Sequence, residues 1–196
     1  MKTSTVVTIL LASFLSLTSA CGGKKEEKGA PAPAGGVPKI AAEPTPEGPV
    51  AADPVSVDAK TLKPGLKLTV FGNNKFAEPV TSTGVVTETD FDCDKNPYNG
   101  KEVSFREEGY LKVEKDGAYC VQLFSDDESR ILLNGKPLVV NAHSTATKER
   151  ILNLKAGYYE FKLEYQNNVG PGCLKVRWAP ETCGSAVPIP ASAFSH

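Results

Sequence analysis

Ala118-Tyr-Cys-Val-Gln-Leu-Phe-Ser125, then Asp126-Asp127, then Arg130-Ile-Leu-Leu-Asn134-Gly135-Lys136-Pro-Leu-Val-Val140, is the stretch that sets the fold class. Tyr119, Val121 and Leu123 alternate with Cys120 and Gln122, the period-two pattern of a strand with one face inward. Asn134-Gly135 between two apolar runs suits the tight turn of a hairpin, whose central residues need positive φ. The same device recurs on both sides. Val103–Val113 alternates and ends in the turn Lys115-Asp116-Gly117. Ile151–Leu154, Lys155-Ala-Gly157 and Tyr158–Tyr165 repeat it, and Leu174, Val176 and Trp178 share one face of a last long strand. Tyr158 and Tyr159 are adjacent, so one is expected in the core and the other exposed, a weak candidate for stacking on a ligand. No run of helix length is amphipathic. Many short strands with regular turns predict an all-β domain, a sandwich or barrel.

Outward from this region the composition changes twice. Every tyrosine, the single tryptophan and all phenylalanines but Phe14 lie beyond residue 62, which sets one domain at 63–196. Between Phe14 and Phe71 there is no aromatic residue. The mixed run Lys24-Lys25-Glu26-Glu27-Lys28 is followed by Pro31, Pro33, Pro38, Pro44, Pro46, Pro49 and Pro54 among Ala and Gly. Residues 21–62 are therefore expected to be a disordered linker, which as a coil would span on the order of 35 Å. Before it, Met1-Lys2, an apolar run from Val6 to Leu17 and the small residues Thr18-Ser19-Ala20 read as a secretory signal peptide over 1–20. Leu17-Thr18-Ser19-Ala20-Cys21 resembles the bacterial lipobox, shifted by one place at its leucine. That resemblance implies a lipidated Cys21 and, with Gly22 next, an outer-membrane anchor. A plain signal peptide with a spare thiol at Cys21 is the alternative. A net charge of −1, with no basic patch, argues against nucleic acid as a partner.

Cys93, Cys120, Cys173 and Cys183 remain in the domain. In an exported protein an even count reads as two disulfides, with three possible connectivities. Cys173–Cys183 is the expected pair, brought together by the turn at Ala179-Pro180. Zinc is the weaker reading, because the spacings are wide and no histidine is near in sequence.

Phe105-Arg106, Gly109-Tyr110-Leu111, Gly117–Asp127, Arg130–Lys136, Leu154–Tyr165 and Leu174–Trp178 resemble, in order and spacing, the anthrax protective-antigen-like ("PA fourteen") domain family. Gly65–Phe71 resembles its opening strand and Pro190–Phe194 its closing segment. The resemblance implies an antiparallel β-sandwich, with binding as the commonest role. In the flocculin and adhesin branch, paired aspartates joined by a cis peptide bind calcium, which binds sugar hydroxyls. A later loop adds an Asn side chain and two carbonyls. By that resemblance Asp126 and Asp127 are metal ligands, Asn167 matches the ligand Asn, and Val169 and Pro171 match the carbonyl donors. Pro171 stands where the flocculins have an aromatic. Calcium suits such oxygen donors.

The bland alternative is that Ser125-Asp126-Asp127 only shapes a turn and caps backbone amides. Glu128 is a possible extra ligand, and Asn141 and Asn168 are read as loop residues able to touch a ligand. Catalysis is not expected. His143 is the only histidine besides His196 and lies in no triad or zinc signature, and adjacent aspartates do not make a glycosidase pair, whose carboxyls stand roughly 5 Å or more apart. The expected function is a membrane-anchored module for calcium-dependent glycan recognition or adhesion. The alternative is an envelope lipoprotein that engages a protein partner without metal.

Overall fold

The computed structural model describes residues 50–142 and 145–196. Cys21 and the signal segment lie outside the described residues, as does His143. Twelve strands follow in chain order: β1 Val50–Ala52, β2 Leu66–Phe71, β3 Val80–Val86, β4 Val103–Val113, β5 Gly117–Asp126 and β6 Glu128–Leu133. After them come β7 Lys136–Asn141, β8 Lys148–Leu154, β9 Gly157–Asn167, β10 Cys173–Pro180, β11 Val187–Pro188 and β12 Phe194–Ser195. Among the described residues the only helical pieces are 3-10 turns at Cys183–Ser185 and Ala191–Ala193. One sheet runs β1-β8-β5-β10-β11 and the other β3-β2-β4-β9-β6-β7, with β12 added beside β4. Every pairing is antiparallel except β1 on β8.

The expected all-β sandwich is thus the structure, and the alternation explains why. Val121 and Leu123 of β5, Leu174 and Val176 of β10, Phe105 and Leu111 of β4 and Phe161 and Leu163 of β9 are all buried and meet between the sheets. Each such side chain contributes about 1.5–3 kcal/mol on leaving water. Asn134 and Gly135 adopt φ of 50° and 72° at the β6–β7 turn, as the Asn-Gly pair requires. Tyr159 is the buried member of its pair, and its hydroxyl donates to the Lys155 carbonyl at 2.8 Å.

Two expectations are corrected. The disulfides are Cys93–Cys173 and Cys120–Cys183, not Cys173–Cys183. The reason is the length of β10: eight extended residues span roughly 25 Å, so Cys173 and the turn carrying Cys183 sit at opposite ends. Residues 50–55, expected to belong to a linker, are also part of the fold. Val50 and Ala52 alternate with exposed Ala51, β1 pairs along Leu152–Leu154, and Val55 N donates to Tyr158 O at 2.7 Å. Pro54 packs so closely on Gly157, at φ 147°, that a Cβ there would come within 2.5 Å of it. Proline-rich composition hides these few apolar residues.

On the outer face of the second sheet Glu164 is 2% exposed and lies between two arginines. Arg106 Nε reaches Oε1 at 2.7 Å and Arg130 Nε reaches Oε2 at 2.5 Å. Burial opposes the charged form, but the two hydrogen-bonded arginines prevail and hold the carboxyl below its usual range. Glu164→Gln is expected to cost roughly 1–2 kcal/mol in urea unfolding at neutral pH, modest because both arginines are partly in water.

Candidate functional site

β5 carries Asp126 to one end of its sheet, beside Cys173 of β10 in the register. β9 carries Asn167 to the corresponding end of the other sheet, opposite Val103. Tyr165 joins them: its hydroxyl donates to the Asp126 carbonyl at 2.6 Å and lies 3.4 Å from Asn167 Oδ1. The loop after β9 folds back, and Asn168 N donates to Asp127 Oδ2 at 2.7 Å. Asp126, Asp127, Asn167 and Asn168 therefore meet at one place. Val169, 75% exposed, and exposed Pro171 form the tip of the same loop.

The Asp126–Asp127 peptide bond is cis. Partial burial, then the Asp127 charge and a hydrogen bond to Asp127, push the Asp126 carboxyl above the usual carboxylate range. The Tyr165 hydroxyl is pushed up in the same way, by burial first and then by Asp127 and Asp126. The Asp127 charge opposes ionisation of Asp126, so a positive charge placed beside the pair would be stabilised. The side-chain donors gathered here are oxygens, two carboxylates and the Asn167 amide. Among the described residues no three His, Cys, Asp or Glu side chains come together, and the four cysteines are spent in disulfides.

A second layer sets this geometry. Ser125 Oγ donates to the Asp127 carbonyl at 2.7 Å and receives Ser129 Oγ at 2.7 Å. Asn141 Nδ2 donates to Ser125 Oγ at 3.2 Å and to the Ala146 carbonyl at 2.9 Å. Asn141 is therefore not a ligand contact on a loop, as its polarity suggested. It is the last residue of β7, opposite Ser129 and fully buried, and it braces the aspartate turn from beneath. Asn168, in contrast, is exposed at the site, where its Oδ1 accepts from Asn74 Nδ2 at 2.7 Å. Glu128 is tied to Gln166 Nε2 at 2.8 Å. The turn reading is met in one respect, since Asp127 Oδ2 does cap a backbone amide.

The connection between β3 and β4, residues 87–102, drew no reading from the sequence beyond Cys93, yet it holds the site loop. Asn96 Nδ2 donates to Gly172 O at 2.8 Å, Gly172 N donates to Asn99 Oδ1 at 3.2 Å, and Gly100 N donates to Gly170 O at 2.8 Å. Asn167 Nδ2 donates to Lys101 O at 2.8 Å, which fixes the amide and sends Oδ1 the other way. Gly172 is required: a Cβ there would lie 2.2 Å from Tyr165 Oη and 2.6 Å from Asn167 Oδ1. Asn96-Pro-Tyr-Asn-Gly100 is dense in turn formers and was the signal available.

The sequence model described as PA14 domain matches residues 62–191. The chain belongs to the PA14 domain family. No curated protein matches it. The PA14 domain of the antifreeze protein MpAFP has a TM-score of 0.56 at 15% identity, covering 74% of this chain and 95% of that one. The epithelial adhesin 9 A domain of Candida glabrata, solved in complex with Galβ1-3GlcNAc, has a TM-score of 0.60 at 11% identity, covering 71% and 92%. An anti-sigma factor domain-containing protein from Clostridium clariflavum has a TM-score of 0.57 at 21% identity, covering 73% and 52%. This PA14 chain spans about half the length of such anti-sigma factor domain-containing proteins. At these identities the likeness is one of fold.

Proposed function

We infer that this PA14 domain is an extracytoplasmic glycan-recognition or adhesion module whose site takes a calcium ion. The observation that carries the reading is the meeting of Asp126 and Asp127 with Asn167 and its loop, which brings repelling carboxylates and an oriented amide oxygen together. Calcium takes six to eight oxygens from such groups. The fit is supported by the donor chemistry and by the Gly172 cradle, which packs against Asn167 Oδ1 where any side chain would intrude. Asp126, Asp127 and Asn167 would hold the ion by side chains, and Val169 and Pro171 by their carbonyls. Bound calcium would supply coordination for vicinal sugar hydroxyls. Asn168, positioned by Asn74, would face the glycan. The adhesin complex with Galβ1-3GlcNAc supports a saccharide partner. The reading includes a lipid anchor at Cys21 in the outer membrane and no catalytic role.

The test is a thermal melt of the chain with disulfides intact, in millimolar calcium and in chelator. Calcium at one hundred times its Kd is expected to add about 2.7 kcal/mol, a shift of several degrees. Asp126→Ala with Asp127→Ala should abolish the shift, and glycan-array binding should follow calcium. Superimposable melts would sink the calcium reading. A second reading, a metal-free contact with an envelope protein, is favoured by Val169, whose apolar side chain stands exposed at the loop tip.

A further inference from the structure

The other end of the sandwich carries a cavity of different chemistry. From Asp126 back to Tyr119 β5 runs roughly 23 Å, so this cavity is remote from the aspartate pair. It encloses about 220 Å³ and is lined by Lys112, Glu114, Lys115, Tyr119, Trp178 and Ser192, among others. Tyr119 and Trp178 stack with ring centroids 5.4 Å apart and planes at 28°. Both rings pack on the core and are still open to the cavity. The Tyr119 hydroxyl donates to the Lys115 carbonyl at 2.8 Å, which holds its ring in place. On the rim Lys112 Nζ lies 3.4 Å from Glu114 Oε1, with these side chains 44% and 77% exposed.

We propose that this cavity is a second, metal-independent saccharide site that seats one hexopyranose unit of a neutral glycan against Trp178 and Tyr119. A pyranose ring offers an apolar C–H face to an aromatic wall and a girdle of hydroxyls that both donate and accept. The lining meets that girdle with two lysines, the Glu114 carboxylate and the Ser192 hydroxyl. A wholly apolar ligand would strip water from Lys112 and Glu114 and return no hydrogen bond in exchange. An anion drawn to Lys112 would be repelled by Glu114. A peptide adding as a strand would need an open edge, but β5 at Tyr119 and β10 at Trp178 are each paired on both sides. The volume suits a single ring.

Trp178 is the only tryptophan of the chain, so its emission reports this cavity and nothing else. The full chain would be titrated with methyl β-D-glucopyranoside and with lactose, in chelator. A saturable change in emission is expected. Glu114→Gln and Lys112→Met, on the exposed rim, should weaken it about tenfold while leaving the melt unchanged. Asp126→Ala should leave it intact, and these rim variants carry the test even if Trp178→Ala fails to fold. Absence of a saturable change with either probe overturns the proposal. So does a signal lost in chelator or in Asp126→Ala, because that places the sugar at the other end. The calcium reading can fail without touching this one.

Discussion

Replacing Cys93 by Ser and Cys173 by Ala is expected to lower stability by about 2–4 kcal/mol and to blunt the calcium response. The bond closes a loop across a sequence separation of 80 residues, so its removal frees a large denatured ensemble. For a domain of this size the loss should lower the Tm by roughly 10 °C. The second effect is local. Cys173 is register partner to Asp126 and follows Gly172 at the end of the site loop. Around the bond, Phe91 and Leu174 exchange backbone hydrogen bonds of 2.9 and 3.2 Å, and Lys175 pairs with Asp92. The disulfide is thus the covalent member of the contacts that set residues 87–102 under the loop.

The Cys120–Cys183 bond supplies the control. Its separation of 63 residues gives nearly the same loop entropy, within about 0.2 kcal/mol. It lies at the other end of β10. Both double variants should therefore melt at similarly lowered temperatures, whereas only the Cys93–Cys173 variant should bind calcium more weakly. Thermal melts and calcium titrations of the two variants check this. An equal calcium response in both would show that the bond near the site contributes only to global stability.

The strands were legible because their burial is one-sided. Tyr119, Val121 and Leu123 read correctly as one face, and Asn134-Gly135 read correctly as a turn, because period and turn chemistry are local properties. The disulfide pairing was not legible, since it depends on which strand ends face each other across the sandwich. Asn141 was misread for a related reason. A polar residue after Leu138-Val139-Val140 suggests a loop, but this one is buried because Ser125 and Ala146 offer it partners. The convergence of Asp126, Asp127 and Asn167 was accessible only through resemblance, as 41 residues separate Asp126 from Asn167. Residues 87–102 carry no periodicity, so their support of the site appears only in three dimensions.

Glu107→Gln is expected to raise stability at pH 8 by about 1–3 kcal/mol and to flatten the pH profile below it. Glu107 lies on β4 between Phe105 and Gly109 and is 5% exposed in the sandwich interior. Among the described residues its Oε2 has no hydrogen-bond partner. Burial first, and then the charge of Asp90, push its carboxyl from 4.5 up to about 8. Asp90 is itself raised by burial, although Val176 N donates to it at 2.6 Å and Arg177 lies 3.8 Å away. Tyr98, from the same connection, feels burial and then the Glu107 charge, which raises its hydroxyl too. In the folded chain Glu107 keeps its proton to about pH 8, whereas the unfolded chain releases it near pH 4.5. Between those values the folded state binds more protons, so this group makes stability fall as pH rises. Gln keeps the shape and removes the charge, so the difference between the two proteins should be small at pH 4.5 and grow towards pH 8. Glu164 acts with the opposite sign, its contribution present above the ordinary carboxylate range and lost on acidification, and it cancels in the comparison. Urea unfolding of both proteins from pH 4.5 to 8.5 measures the difference. Parallel profiles would mean that Glu107 is ionised and solvated in the folded state, with water reaching the interior beside Asp90.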